Sequence, residues 1–364
     1  MHKTSAWPLA LVYAGLIVYA SLYPFADWRD QGILPFAYLW QPLPKYWTGF
    51  DVAINVLGYA PFGFLLALSA LRTGRGRHAV VLATFTAAGA SLVMETFQSY
   101  LPSRVPSNVD FALNALGAWG GAAVAALLEK IGAVARWSRF RERWFVADSR
   151  GALVLLALWP IALLFPSAVP LGLGQVMERL EAALADVLHD TPFLDWLPVR
   201  DVELQPLVAG AEMACVLLGA LIPCLLGYCI IRSVPRRVVF ALGIFATGIA
   251  ATALSWALSY GPSHAWGWFG LPAQVGLGAA LILSLVLLPA PGRVSAALVL
   301  LGAGIYLSVL NQAPTSPYFA QTLHTWEQGR FIRFQGLAQW LSWLWPYATL
   351  VYVLTLVWGG ETKN

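Results

Sequence analysis

The sequence predicts an all-α, polytopic transmembrane helix bundle of about ten spans with both termini cytoplasmic. Three observations predict it. The 364 residues are 59% apolar and only 11% charged, with a mean hydropathy of +0.67, whereas a soluble domain carries about 25% charged residues. The apolar residues gather into runs of about 20, the length that crosses a hydrocarbon core. The arginines gather between the runs, and every Arg-rich connection falls on the same side. The 17 Trp and 13 Tyr fit aromatic belts at two interfaces, and inside loops account for the net charge of +4 without any nucleic-acid motif.

The runs lie at residues 6–25, 51–71, 79–100, 110–130, 151–169, 206–231, 238–260, 272–289, 293–311 and 338–358. The first is long enough to stay in the bilayer rather than be cleaved as a signal. Arg72, Arg75 and Arg77 follow the second run, and Lys130, Arg136, Arg139, Arg141, Arg143 and Arg150 cluster after the fourth. Arg232, Arg236 and Arg237 follow the sixth, and Arg293 follows the eighth. Excess basic charge marks the cytoplasmic side, so loops 26–50, 101–109, 170–205, 261–271 and 312–337 face outward. Loop 26–50 is rich in proline and aromatics and reads as chain lying among headgroups. Within 170–205, Val176, Leu180, Ala183, Leu184 and Val187 share one face of an amphipathic helix suited to the outer interface. Cys215, Cys224 and Cys229 fall in one span and read as small apolar residues. The composition shift divides the chain into a four-helix membrane domain (1–130), a basic cytoplasmic linker (131–150) and a second bundle of about six helices with outer amphipathic loops (151–364).

The chemistry concentrates in a repeat. Asp51-Val-Ala-Ile-Asn55-Val-Leu-Gly58 returns as Asp110-Phe-Ala-Leu-Asn114-Ala-Leu-Gly117, with Asp, Asn and Gly on one helix face. Glu95 and Gln98 share a face near the outer end of the third run, and Arg104 follows in a short outer loop. A carboxylate at that depth is protonated, paired or turned to a wet cavity. Asp51, Asn55, Glu95, Gln98, Arg104, Asp110 and Asn114 are therefore the candidate ligand-binding residues, expected at the outer mouth of the first bundle. Plainer roles stay open. Either Asp fits a helix N-cap, either Asn an interhelical hydrogen bond with Gly58 or Gly117 bringing helices close, and Arg104 an ion pair.

The ordered pattern Asp51-x3-Asn55, Pro61-Phe-Gly63, Glu95-x2-Gln98, Arg104 and Asp110-x3-Asn114-x2-Gly117-x3-Gly121 resembles the VanZ-like family of membrane proteins over about the first 130 residues. The founding member is associated with bacterial resistance to the glycopeptide teicoplanin. The resemblance implies multi-pass residence in the bacterial cytoplasmic (inner) membrane and work in the cell envelope. It supplies no chemistry.

A secondary candidate set, His324, Glu327, Arg330 and Arg333, lies in loop 312–337. His324 and Glu327 lack a third metal ligand, and the arginine forks suit a phosphate headgroup. No Gly-rich phosphate loop, Gly-x-Ser-x-Gly or His-Glu-x-x-His frame occurs. No catalytic residue, metal or cofactor is assigned. Three readings follow. The outer site holds a membrane lipid or lipid-linked envelope precursor; or its carboxylates and amides bind a hard cation that assists transfer or hydrolysis of a lipid-linked group; or the polar residues only pair helices in a structural partner of another envelope protein.

Overall fold

The computed structural model describes residues 6–23, 25–43, 49–74, 76–193, 204–314 and 332–361. Among them are twelve α-helices and no strand. In chain order they are α1 (Ala6–Leu22), α2 (Gly49–Arg72), α3 (Ala79–Gln98), α4 (Asn108–Lys130), α5 (Ala133–Trp144), α6 (Arg150–Ala162), α7 (Met177–Leu188), α8 (Ala209–Ile230), α9 (Val234–Tyr260), α10 (Leu271–Val286), α11 (Gly292–Leu310) and α12 (Ile332–Glu361). Helices α2, α3, α4, α8, α9, α11 and α12 are long and apolar enough to cross a membrane. The three remaining predicted runs form the shorter apolar helices α1, α6 and α10.

Proline explains where two of the shorter helices stop. The residue before a proline is pushed out of the helical region. Helix α6 ends at Ala162, just ahead of Phe165-Pro166, and α10 ends at Val286, ahead of Pro289 and Pro291. The predicted run 151–169 is thus a 13-residue helix followed by irregular chain.

The chain forms two compact units, Met1–Arg141 and Glu142–Asn364. In the first, α2 and α4 run in the same direction, with α3 antiparallel between them in sequence. Glycine brings α2 and α4 together. A Cβ on Gly117 would strike the backbone of Val56, one on Gly121 that of Ala60, and one on Gly63 that of Ala118. Small residues permit such close approach in a membrane, where apolar side chains gain little by leaving lipid. Gly58 does not share this role, contrary to the repeat's symmetry. It faces open space, and its carbonyl accepts the Tyr13 hydroxyl at 2.9 Å, tying α1 to α2. Tyr59, Phe62, Ala87, Met94 and Ala118 pack between these helices with Ala10 and Ile17 of α1.

After α4 ends, Gly132 adopts a left-handed φ of 72° and α5 begins. The basic stretch after Lys130 is thus largely helical. Ala133, Trp137, Phe140 and Trp144 recur at spacings that place apolar side chains on one helix face.

In the second unit α8 is the centre. Cys215, Val216, Cys224, Leu225, Leu226 and Tyr228 are among its buried residues, and all three cysteines are free. Irregular chain at 163–176 is largely buried here, which requires internal partners for its backbone. The Tyr306 hydroxyl donates to Leu171 O at 2.7 Å and accepts from the Leu173 N–H, and Gly174 N donates to Ser342 O at 2.8 Å. The Asn311 carbonyl accepts from the N–H groups of Val176 and Met177 at 3.0 Å, where the expected amphipathic helix, α7, begins. Arg237 is buried rather than solvated in its basic loop. It donates to the carbonyls of Tyr228, Ile231, Leu288 and Ala290, so one guanidinium serves the exposed ends of α8 and α10.

Candidate functional site

Three helices of the first unit each present a polar pair one turn apart: Asn55 and Tyr59 on α2, Ser91 and Glu95 on α3, Asp110 and Asn114 on α4. Because α3 runs against the other two, the pairs fall into two tiers. The first lies where α2 and α4 begin and α3 ends. Here the Asn55 amide donates to the Asp110 carboxylate at 2.8 Å, crossing from α2 to α4. Glu95, only 4% exposed, accepts from the Ser107 backbone N–H at 2.9 Å and lies in the opposing fields of Asp110 and Arg104.

The second tier is one turn deeper. The Asn114 amide donates to the Ser91 hydroxyl at 3.0 Å. Its carbonyl oxygen is buried without a hydrogen-bond partner; the Tyr59 hydroxyl is buried too, with the Ser91 hydroxyl as its neighbour and in the field of Glu95. Unsatisfied polar atoms at such depth are uncommon and costly, and they often mark a bound water, ion or ligand group.

The start of α4 shows how the first tier is built. Ser107 is the N-cap, accepting from the N–H groups of Val109 and Asp110 at 3.2 and 3.3 Å. In a capping box the third helical residue would reach back to the N-cap's own N–H. That residue is Asp110, whose carboxylate meets Asn55 instead, and Glu95 from α3 takes over the N–H. The capping role considered for Asp110 therefore falls to Ser107. Asp51 stands half-buried in the first turn of α2.

Gln98 and Arg104 do different work. The Gln98 amide donates to Ser21 O at 3.0 Å, and the Arg104 guanidinium donates to Ala20 O and Tyr23 O at 3.2 and 2.7 Å. They satisfy the carbonyls at the end of α1, where a cation also complements the helix dipole. The preceding loop closes over the same end. Gln31 donates to Ser99 O at 2.8 Å, Arg29 N to Tyr100 O at 3.0 Å, and the Asn108 amide to Gln41 O at 2.7 Å. Tyr38 is buried against α3, and burial raises its phenol above the ordinary value, with the Glu95 field pushing the same way and the Thr96 hydroxyl opposing. Its neighbours Leu34, Phe36, Trp40 and Leu43 are exposed.

Asn55, Glu95, Asp110 and Asn114 thus come together in one column, while Gln98 and Arg104 hold α1 against it. Sequence reading missed Tyr59, Ser91 and Ser107. The signals were present: Tyr59 and Ser91 lie four residues from Asn55 and Glu95, and Ser107-x-x-Asp110 is a capping spacing. Of the secondary set, His324, Glu327 and Arg330 lie outside the described residues, and Arg333 falls in the first turn of α12. Among the described residues no group of three or more His, Cys, Asp or Glu side chains could hold a metal ion.

Residues 7–129 match the model of the VanZ/LLP1 family. The match runs from α1 into the last turn of α4 and contains every residue of the column. The first third of the chain is thus similar to that family, and the chain is a multi-pass membrane protein. Neither the curated proteins nor the solved structures contain a match.

Proposed function

We propose that the column between α2, α3 and α4 holds the polar group of a lipid-linked or glycan-type envelope ligand, entering from the outer face of the bacterial cytoplasmic membrane. The observation that carries this reading is the unpartnered Asn114 Oδ1, buried with the Tyr59 hydroxyl one turn below the Glu95 and Asp110 carboxylates. Together they offer a set of acceptors with at least one hydroxyl donor, which matches the hydroxyl and amide groups of a sugar. An unsatisfied buried oxygen costs about 1–3 kcal/mol, which a ligand hydroxyl or amide would recover. Asp51, in the first turn of α2, belongs to the rim of the site in this reading. Gln98 and Arg104 position α1 beside it.

Glu95→Gln separates the site's charge from its structural work. Glutamine keeps a carbonyl oxygen for the Ser107 N–H and replaces the ionisable oxygen with an amide that can only donate. The full chain is purified, and its associated lipids are identified by mass spectrometry. The expected result is a species with a polar or sugar headgroup that wild type retains and Glu95→Gln loses, with thermal stability unchanged. An identical lipid profile in the two proteins rejects the proposal. Teicoplanin susceptibility of cells expressing each form extends the test to the role associated with the family's founder.

A further inference from the structure

Helix α5 carries a surface that the column does not use. Ala133, Trp137, Phe140 and Trp144 share one face. Arg136 and Arg143 line one flank of it with Arg139 behind them, Arg141 lines the other, and Glu142 lies at the back. No residue of the helix is buried. Trp137 is 55% exposed and Phe140 39%, and their rings stack with centroids 5.4 Å apart. An apolar face flanked by arginines is the pattern of a helix lying in a membrane interface.

Its surroundings fix it at that level. The end of α4, a helix long enough to span, lies just ahead of it, and the apolar helix α6 begins at Arg150 soon after it. Arg72, in the last turn of α2, donates to Val134 O at 3.3 Å and to the Ser138 hydroxyl at 3.1 Å. Ser138 lies on a different face from Trp137 and Phe140, so this clasp leaves those two rings exposed, while Trp144, at the end of the face, packs against the core of the second unit under Arg236. The helix is thus tied where neighbouring spans end, with four arginines opposed by one glutamate.

We infer that α5 docks anionic phospholipid, with Trp137 and Phe140 among the upper acyl carbons and Arg136, Arg139 and Arg143 on the headgroup phosphates. Guanidinium forks match phosphate geometry, and long arginine stems reach from the apolar boundary to the headgroups. An acidic protein would satisfy the arginines but has no need of an aromatic face at bilayer height.

The test uses the full chain in nanodiscs of phosphatidylcholine with and without phosphatidylglycerol. The phosphatidylglycerol carried through transfer to detergent is measured by mass spectrometry. Wild type is expected to retain phosphatidylglycerol over phosphatidylcholine, and to lose that preference as salt rises. Each Arg→Gln change among Arg136, Arg139 and Arg143 is expected to lower retention about fivefold. The Trp137→Ser, Phe140→Ser double variant is expected to weaken retention at every salt concentration. The triple variant that combines Arg136→Gln, Arg139→Gln and Arg143→Gln is expected to abolish the preference; single changes suffice if it does not fold, and the salt titration of wild type needs no variant. Salt-independent retention in wild type, or retention unchanged in Arg139→Gln and in the triple variant, overturns the proposal. So does loss of a copurifying acidic protein with lipid retention intact.

Discussion

The two copies of Asp-x3-Asn-x2-Gly begin α2 and α4 at the same spacing, yet their side chains meet different fates. In the second copy Asp110 accepts from Asn55, Asn114 donates to Ser91, and Gly117 lies hard against Val56. In the first copy Asn55 reaches across to the other copy's aspartate, and Gly58 faces open space. The difference teaches that a helical spacing selects a face but does not say what the face meets. Helix α4 turns its copy toward both α2 and α3. Helix α2 turns its own toward α4 and also lends Gly58 O to Tyr13 of α1.

This asymmetry can be broken at graded cost. The largest effect is expected from Gly121→Val or Gly117→Val, where the new side chain strikes helix backbone that can yield only by moving α2 from α4. A loss of about 3 kcal/mol or more is expected, seen as a fall in folded, monodisperse yield and in thermal midpoint. Asp110→Ala comes next. It leaves the Asn55 amide without its acceptor and should cost about 1–3 kcal/mol, measured as a lower midpoint. Asn55→Ala should cost a similar amount, and the double variant should cost less than the sum if the two act through their mutual bond. Asn114→Leu is expected to be milder, about 1 kcal/mol or less, because it removes the bond to Ser91 and a buried unpartnered oxygen together. Loss of the polar-headgroup lipid in this variant without loss of fold would sharpen the case for a ligand in the deeper tier. The smallest effect is expected at Gly58→Ala, which meets no neighbour and should change the midpoint by about 0.5 kcal/mol at most. A Gly58→Ala cost equal to that of Gly117→Ala would restore symmetry to the repeat and contradict the asymmetric packing.

A second comparison sets the two units side by side. The first keeps carboxylates and amides between its helices. The second buries irregular chain at 163–176 and satisfies it from Tyr306, Asn311 and Ser342. Hydropathy assigns residues 163–169 to an apolar span because it counts side chains and is blind to the backbone. Pro166 and Pro170 were the available warning. Arg237 makes a similar point. Its position in a basic cluster marked a loop, yet its guanidinium is enclosed by four carbonyls from two segments far apart in the sequence.

Sequence alone determined the class of the molecule. Composition, run length and arginine placement specify an all-α membrane protein, because a hydrocarbon solvent admits few ways to satisfy a backbone and penalises each misplaced charge. Local periodicity also determined which residues share a face, and so singled out Asn55, Glu95, Asp110 and Asn114. Only the tertiary structure decided how they pair. The direction of α3 against α2 and α4, and the glycine-permitted approach of α2 to α4, set the two tiers, moved Gln98 and Arg104 to the end of α1, and left the Asn114 carbonyl oxygen with an open hydrogen-bonding position. Those outcomes depend on distances between segments far apart along the chain, and spacing within one helix carries no information about them.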